Sequence, residues 1–240
     1  MERDAFELMA MAEKDHWWFR GRREFIEAAF RRAKLPAGAT LLDAGCGSGG
    51  NLALLSQFGQ LFGFEYDQEA LAAAKTLGIG QLEHGSLPDG VPFLDRRFDA
   101  VGLFDVLEHL EHPVASLAAL RERLTDDGAL ILTVPAHPWL WGPHDEHHQH
   151  FRRYTDATLT AHVNDAGLRV EYVSYMNTLL LPLAVVQRVK ERLFGYSVHE
   201  LSPSPAVNNA LLNIWRIEKQ WIPRRRAPFG LSLIAIARRA

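Results

Sequence analysis

The chain has 240 residues, of which 48% are hydrophobic and 23% charged, with a formal net charge of −3. That length suits one well-filled α/β domain, and the composition excludes fibrous, low-complexity and disordered classes. The single cysteine, Cys46, excludes an internal disulfide framework, and the longest strongly apolar run, Leu179–Val186, is interrupted by Pro182 and far short of the roughly 20 residues that span a bilayer. The first residues, MERDAFELMAMAEKD, lack the apolar core of a secretion signal, so a cytoplasmic location is expected. Charge is distributed unevenly: 16 Lys/Arg face 26 Asp/Glu before Arg188, and 10 face 3 from Arg188 onward. An acidic body with a basic tail predicts different partners for the two parts.

An amphipathic stretch over Ala5–Lys34 precedes the turn Pro36-Ala37-Gly38. Apolar runs then alternate with helical patterns. Strands are predicted at Thr40–Ala44, Leu61–Glu65, Gln81–His84, Phe98–Phe104 and Ala129–Val134, and later at Arg169–Tyr175 and Leu231–Ala237. Helices are predicted at Gly50–Phe58, Gln68–Leu77 and Pro113–Leu124, the last closed by Asp126-Asp127-Gly128. Such alternation means a parallel sheet covered on both faces. The 53 residues from Thr178 to Gly230 are helical in pattern, hold five prolines and read as an insertion before the last strand.

The loop after the first strand, LLDAGCGSGG, satisfies G-x-G-x-x-G at Gly45, Gly47 and Gly50, the signature of a dinucleotide site. Asp43 argues against that reading. In an open α/β sheet the ligand sits at the carboxyl ends of the strands, and a carboxylate there repels a pyrophosphate by about 4 kcal/mol at an intermediate dielectric. Glu65 closes the second strand, where an acid takes a ribose hydroxyl pair, and Asp105 and Glu108 add further acids to the same rim. An acidic mouth suits a ligand carrying an ammonium and a sulfonium. An NAD(P)-linked oxidoreductase stays as the alternative, and a protein that binds the cofactor without turnover as a third.

The strings LLDAGCGSGGNL, GFEYD, FDAVGLFDVLEHLEHP and DDGALILTVP, in that order and spacing, resemble the successive motifs of class I S-adenosylmethionine-dependent methyltransferases, over roughly Leu35–Leu168. The end pieces are similar to a bacterial subgroup, with ubiquinone-type O-methyltransferases its best-known relatives. The resemblance implies a Rossmann-like seven-stranded α/β sheet, mostly parallel with an antiparallel last strand and helices on both faces. It divides the chain into an N-terminal cap at 1–35, a cofactor-binding core at 36–177, a helical substrate lid at 178–230 and a last strand at 231–240. It implies that S-adenosylmethionine is the cofactor and S-adenosylhomocysteine the product. Asp43, Gly45, Cys46 and Gly47 would hold the methionine portion, Glu65 the ribose and Tyr66 the adenine face. Ser86 and Leu87 would flank the adenine edge, and Phe104 and Asp105 the floor. Arg22 would grip the methionine carboxylate, or stand as a surface arginine beside Arg20 and Arg23.

Asp105-x-x-Glu108-His109 is similar to the E-x-x-E-H pattern that binds a divalent ion in some O-methyltransferases. Asp in the first position is a departure, so no resident metal is assigned, with Asp105, Glu108 and His109 as the set should one bind. The run Trp139–Tyr154, WLWGPHDEHHQHFRRY, follows the fifth strand on the ligand side. Methylation of a hydroxyl needs a base near neutrality, and His144 or His109 is expected to supply it, with Asp145 as orienter. Trp18, His147, His148 and Tyr154 are expected to face the substrate; Trp17 and Trp18 read equally as packing. Arg152-Arg153-Tyr154 reads as a site for an anionic part of the substrate or, more simply, as the cap of a helix beginning near Thr155. The expected acceptor is a small, partly hydrophobic molecule and not a nucleic acid, because the basic residues do not follow one groove. The apolar-then-basic segment at 178–226 also predicts peripheral contact with anionic lipid.

Overall fold

The structure is a computed structural model that describes residues 15–194, 203–220 and 225–240. A seven-stranded sheet runs in the order β3-β2-β1-β4-β5-β7-β6. Its strands are β1 (Ala39–Ala44), β2 (Gly59–Glu65), β3 (Gln81–His84), β4 (Phe98–Phe104), β5 (Leu124–Pro135), β6 (Leu168–Met176) and β7 (Ser232–Arg239). Neighbours from β3 to β5 are parallel, whereas β7 is antiparallel to both β5 and β6. The chain order reverses between β1 and β4, which opens the crevice where such sheets take their ligands. In that crevice Asp43 is flanked by glycines on both neighbouring strands, Gly63 of β2 and Gly102 of β4.

The strands read as nearly continuous apolar runs because both faces are covered. On one face α4 (Pro113–Arg121) and α6 (Asp156–Asp165) pack Leu117, Leu120, Leu159 and Val163 onto Leu42, Phe62, Leu103 and Leu130. On the other, α1 (Trp17–Ala33) lays Phe25, Ile26 and Phe30 over Leu41, Ile131 and Ile236. Local chemistry closes the ends. Asp67 caps α3 (Gln68–Thr76) by accepting from the Glu69 and Ala70 amides at 3.0 and 2.9 Å. Thr155 and Thr158 cap α6 reciprocally, so the cap is Thr155 itself and not the preceding arginines.

Two expected elements differ. The helix after the glycine loop is one turn, α2 (Leu52–Leu55), because the backbone folds through Gly45, Gly47 and Gly49 at positive φ before it can start. Asp126-Asp127-Gly128 does not close α4; it lies inside β5, whose partner register jumps from Phe98–Leu124 to Ala100–Ala129. The extra residues loop out as a bulge, and Gly128 fits because a Cβ there would approach the Phe98 carbonyl oxygen to 2.8 Å.

The insertion between β6 and β7 contains α7 (Leu181–Phe194) and α8 (Pro205–Lys219), after the short α5 (Pro143–His147) in the β5–β6 connection. Helix α8 packs on α1. Gly21 lies flat against the Trp215 ring, which meets Trp18, Phe25 and Trp17 at centroid distances of 5.1, 5.5 and 5.7 Å. Trp18 thus packs α1 onto α8 and is half-buried. Glu218 of α8 is buried and accepts from the Thr178 and Leu179 amides at 2.9 and 2.7 Å, which anchors the entry to α7.

Candidate active site

The glycine loop is pinned before it can meet a ligand. The Gly45 and Cys46 amides donate to the Phe64 carbonyl at 2.9 and 3.0 Å. A Cβ on Gly45 would stand 2.7 Å from Val106 Cγ2, and its φ of 76° excludes most side chains as well. The Gly47 amide donates to Glu65 Oε2 at 2.8 Å, while Glu65 Oε1 accepts from the Tyr66 and Asp67 amides at 2.8 and 2.9 Å. Glu65 is thereby fixed at the rim with its outer lone pairs available, and the Tyr66 ring beside it is 73% exposed. Asp43 is buried at the end of β1. Burial, then Asp43 and Glu65, pushes the Cys46 thiol above its ordinary range, so it is a small loop residue and no nucleophile. Ser86 and Leu87 follow β3, where Ser86 exchanges two 3.0 Å backbone bonds with Gly90 and Leu87 packs on the core.

Across the crevice, Arg22 of α1 is buried and its guanidinium pairs with Asp105. Asp105 sits at a positive φ of 53° and also binds β5: its amide donates to the Thr133 carbonyl at 3.0 Å and its Oδ1 accepts from Thr133 Oγ1 at 3.0 Å. The surface alternative for Arg22 is excluded by this burial. Phe104 turns into the core, with its ring 6.4 Å from that of Phe30.

Past β4, Glu108 and His109 form a short turn, and the β5–β6 connection brings His150 to them. Ligand-type atoms of Glu108, His109 and His150 all lie within 4.8 Å of one another. Glu108 is fully enclosed, its Oε2 has no hydrogen-bond partner, and burial followed by the Asp105 charge raises its carboxyl well above the usual range. Desolvation, then His150 and His148, lowers His109 to about 4, so its imidazole is neutral at physiological pH. The set differs from the one read in sequence: Asp105 is occupied by Arg22 and Thr133, and His150 stands in its place.

Asp145 is the hub of this connection. Fully buried, it accepts from the Gly142 amide at 2.9 Å, His150 Nδ1 at 2.9 Å and Arg153 Nε at 2.7 Å. Through its bond to Nδ1 it orients His150. Those bonds hold the Asp145 carboxyl below its ordinary value although burial pushes the other way. Arg153 is thus an internal counter-ion, and Arg152 donates to the Leu110 and Glu111 carbonyls at 2.7 and 3.2 Å, which ties the connection back to the β4 turn. His144 stacks near His148 at 4.3 Å, and desolvation, then His148 and Arg188, lowers it to about 3. His148, lowered to about 4 by desolvation, then by His150 and His147, is half-buried, and His147 is exposed. Tyr154 lies wholly in the core, its hydroxyl raised to about 12 by burial, so it cannot face a substrate. Within the run WLWGPHDEHHQHFRRY it is thus His150 and Arg153 that turn onto Asp145, and no periodicity in an irregular loop singles them out.

Comparison with known proteins agrees with the geometry. A family model described as a methyltransferase domain matches residues 15–173. A mitochondrial ubiquinone biosynthesis O-methyltransferase of Schizosaccharomyces pombe is 31% identical over 122 residues, 47% of this chain and 44% of that protein. A tRNA U34 carboxymethyltransferase of Aeromonas salmonicida is 34% identical over 103 residues, 40% of this chain and 32% of that protein. The chain thus aligns with less than half the length of each. A methyltransferase solved in complex with the Trm112 methyltransferase activator from Haloferax volcanii superposes with a TM-score of 0.65 at 19% identity, over 95% of this chain and 92% of that one, a likeness of fold. These matches set aside the dinucleotide alternative, as does α2: a single turn supplies little dipole for a pyrophosphate. With its acidic crevice and four motifs in order, the chain belongs to the methyltransferase-domain family and is a class I enzyme whose cofactor is S-adenosylmethionine.

Proposed function

We propose that this enzyme moves a methyl group to an oxygen, or a nitrogen, of a small and partly hydrophobic acceptor. The observation that supports a hydroxyl acceptor is the Glu108–His109–His150 cluster, gathered at the carboxyl ends of the strands on the side where the glycine loop touches Val106. Direct displacement at a sulfonium carbon needs positioning and removal of the acceptor proton, and little else from the protein. Neutral His109 has a lone pair for that proton. His150 is held through Nδ1 by Asp145, and Arg153 keeps Asp145 charged.

The same residues fit a divalent cation, because a buried carboxylate oxygen without a partner beside two imidazoles is a donor set that positive charge relieves. Such a cation, when bound, would lower the pKa of an acceptor hydroxyl. Glu108, His109 and His150 would hold it, with Asp145 behind His150 as a carboxylate supports a metal-binding histidine.

For the cofactor we assign Asp43, Gly45, Cys46 and Gly47 to the methionine portion, Glu65 to the ribose, exposed Tyr66 to the adenine face, and Ser86 and Leu87 to its edge. Arg22, with Asp105, caps the crevice from α1, and Phe104 supports that cap from beneath. His147 and His148 lie on the acceptor side. Helix α7 of the insertion flanks that side, with Arg188 beside Gly142, and the acidic rim favours a small molecule over a nucleic acid.

Calorimetric titration with S-adenosylhomocysteine, with NADH as control, tests the cofactor assignments through D43N and E65Q, each expected to weaken binding at least tenfold. Unchanged affinity in both would overturn them. Thermal denaturation with Mn²⁺ or Mg²⁺ tests the cation: an upward shift in the wild type that E108Q and H150A abolish is expected, and no shift would leave His109 as the base without a metal.

A further inference from the structure

Helix α7 is turned inside out. The side chains it directs at the body include Ala184, Arg188 and Glu191, and Arg188 bonds Glu191 at 2.7 Å. The outward face carries Leu183, Val186, Val189 and Leu193, which are 54%, 65%, 50% and 71% exposed. Leu179 extends this stripe at its start, and Phe229 is fastened beside it by the 2.6 Å bond from Thr178 Oγ1 to the Phe229 carbonyl. A surface helix ordinarily turns its apolar stripe to the core and its charges to water. A contiguous exposed patch of this kind marks an interaction surface.

Charge selects the occupant. Arg225 and Arg226 are exposed on the strap that follows the β6 edge from Tyr172 to Tyr175 and leads to Phe229. No acidic residue occurs from Thr178 to Lys190, and whereas Arg216, Lys219 and Arg238 are paired with Glu24, Glu27 and Glu171 on the body, Arg225 and Arg226 stand exposed. A second copy related by a two-fold axis would set like charges against each other across an identical patch. A negatively charged planar surface would attract this flank and repel the acidic body. Among the described residues no helix is long and apolar enough to cross a membrane, so α7 would lie in the interface.

We propose that the outward face of α7, with Phe229, Arg225 and Arg226, docks this protein on an anionic lipid bilayer. The inward face reaches the active-site connection, since Arg188 Cδ and Nη1 stand 3.4 Å from where a Cβ on Gly142 would be. Docking thereby places the acceptor side of the enzyme next to the lipid. The proposal rests on the surface alone and holds whichever acceptor is methylated.

Flotation of the full chain with phosphatidylcholine vesicles, with and without phosphatidylglycerol, is the test. Binding is expected only with phosphatidylglycerol. The double variant R225E/R226E should reduce it at least tenfold, since each basic side chain near an anionic surface contributes roughly fivefold. L183Q/V186Q should abolish flotation at any salt, with an unchanged circular dichroism spectrum and unchanged S-adenosylhomocysteine affinity. No flotation at low salt, or flotation indifferent to L183Q/V186Q, would overturn the proposal. So would a dimer in light scattering that L183Q/V186Q converts to monomer, which assigns the face to a second copy.

Discussion

Replacing Asp145 by Asn removes a charge while keeping the shape of the side chain. The Asp145 side chain is 0% exposed, and its partners Arg153 and His150 are 7% and 9% exposed. Arg153 would keep its charge with the nearest counter-ion gone. Breaking one side of a buried ion pair costs about 3–5 kcal/mol, most of it the burden of the uncompensated partner. For a chain of this size each kcal/mol lowers Tm by about 2–4 °C, so D145N should melt roughly 6–20 °C below the wild type. Removing both charges relieves that burden, so D145N/R153M should recover part of the loss, with a coupling of about 1–3 kcal/mol in the cycle. Thermal and urea denaturation of the four proteins gives these values. A D145N protein within about 1 kcal/mol of wild type, or a cycle that sums without coupling, would refute the hub.

Other expectations follow from the same geometry. H150A should lower turnover about a hundredfold or more while S-adenosylhomocysteine affinity stays within threefold, and H144A should have the smaller effect; the reverse order in single-turnover assays would return the base to His144. R22A should weaken S-adenosylhomocysteine binding at least tenfold by calorimetry, with R22K only partly restoring it because a lysine cannot make a bidentate contact; a variant that loses stability yet keeps full affinity would make Arg22 a strut. G21A should cost about 1–3 kcal/mol in urea denaturation, because its methyl would overlap the Trp215 ring. Burial raises the Glu218 carboxyl above 4.5, against the pull of the Leu179, Thr178 and Asn177 amides. Its unfolded form therefore ionises first, and stability present below that value declines as pH rises through the folded value. The difference in Tm between wild type and E218Q should accordingly shift against the wild type between acid and neutral pH, and a pH-independent difference would contradict the assignment.

The sequence by itself determined the sheet. The central strands are short runs apolar enough to be buried on both faces, and each predicted strand overlaps its observed counterpart because that signal is local. The glycine loop and the places of Asp43 and Glu65 near the ends of β1 and β2 were legible for the same reason, since they are encoded beside the strands. Boundaries that depend on neighbours were not. The bulge at Asp126-Asp127-Gly128 exists because β5 must keep register with β4, and no property of those three residues distinguishes a bulge from a helix end. Tertiary structure alone decided the pairings that join distant segments. Arg22 meets Asp105 across 83 positions, and Arg152 ties the β5–β6 connection to Leu110 across 42. Asp145 reaches His150, five positions on, because an irregular loop, not a helix period, sets which side chains turn inward. The outward apolar face of α7 belongs to the same class: its amphipathic pattern was present in the chain, but a pattern fixes only that a helix has two faces. Which face meets the body depends on what the body offers, and here Arg188 and Glu191 turn inward and leave Leu183, Val186, Val189 and Leu193 outside.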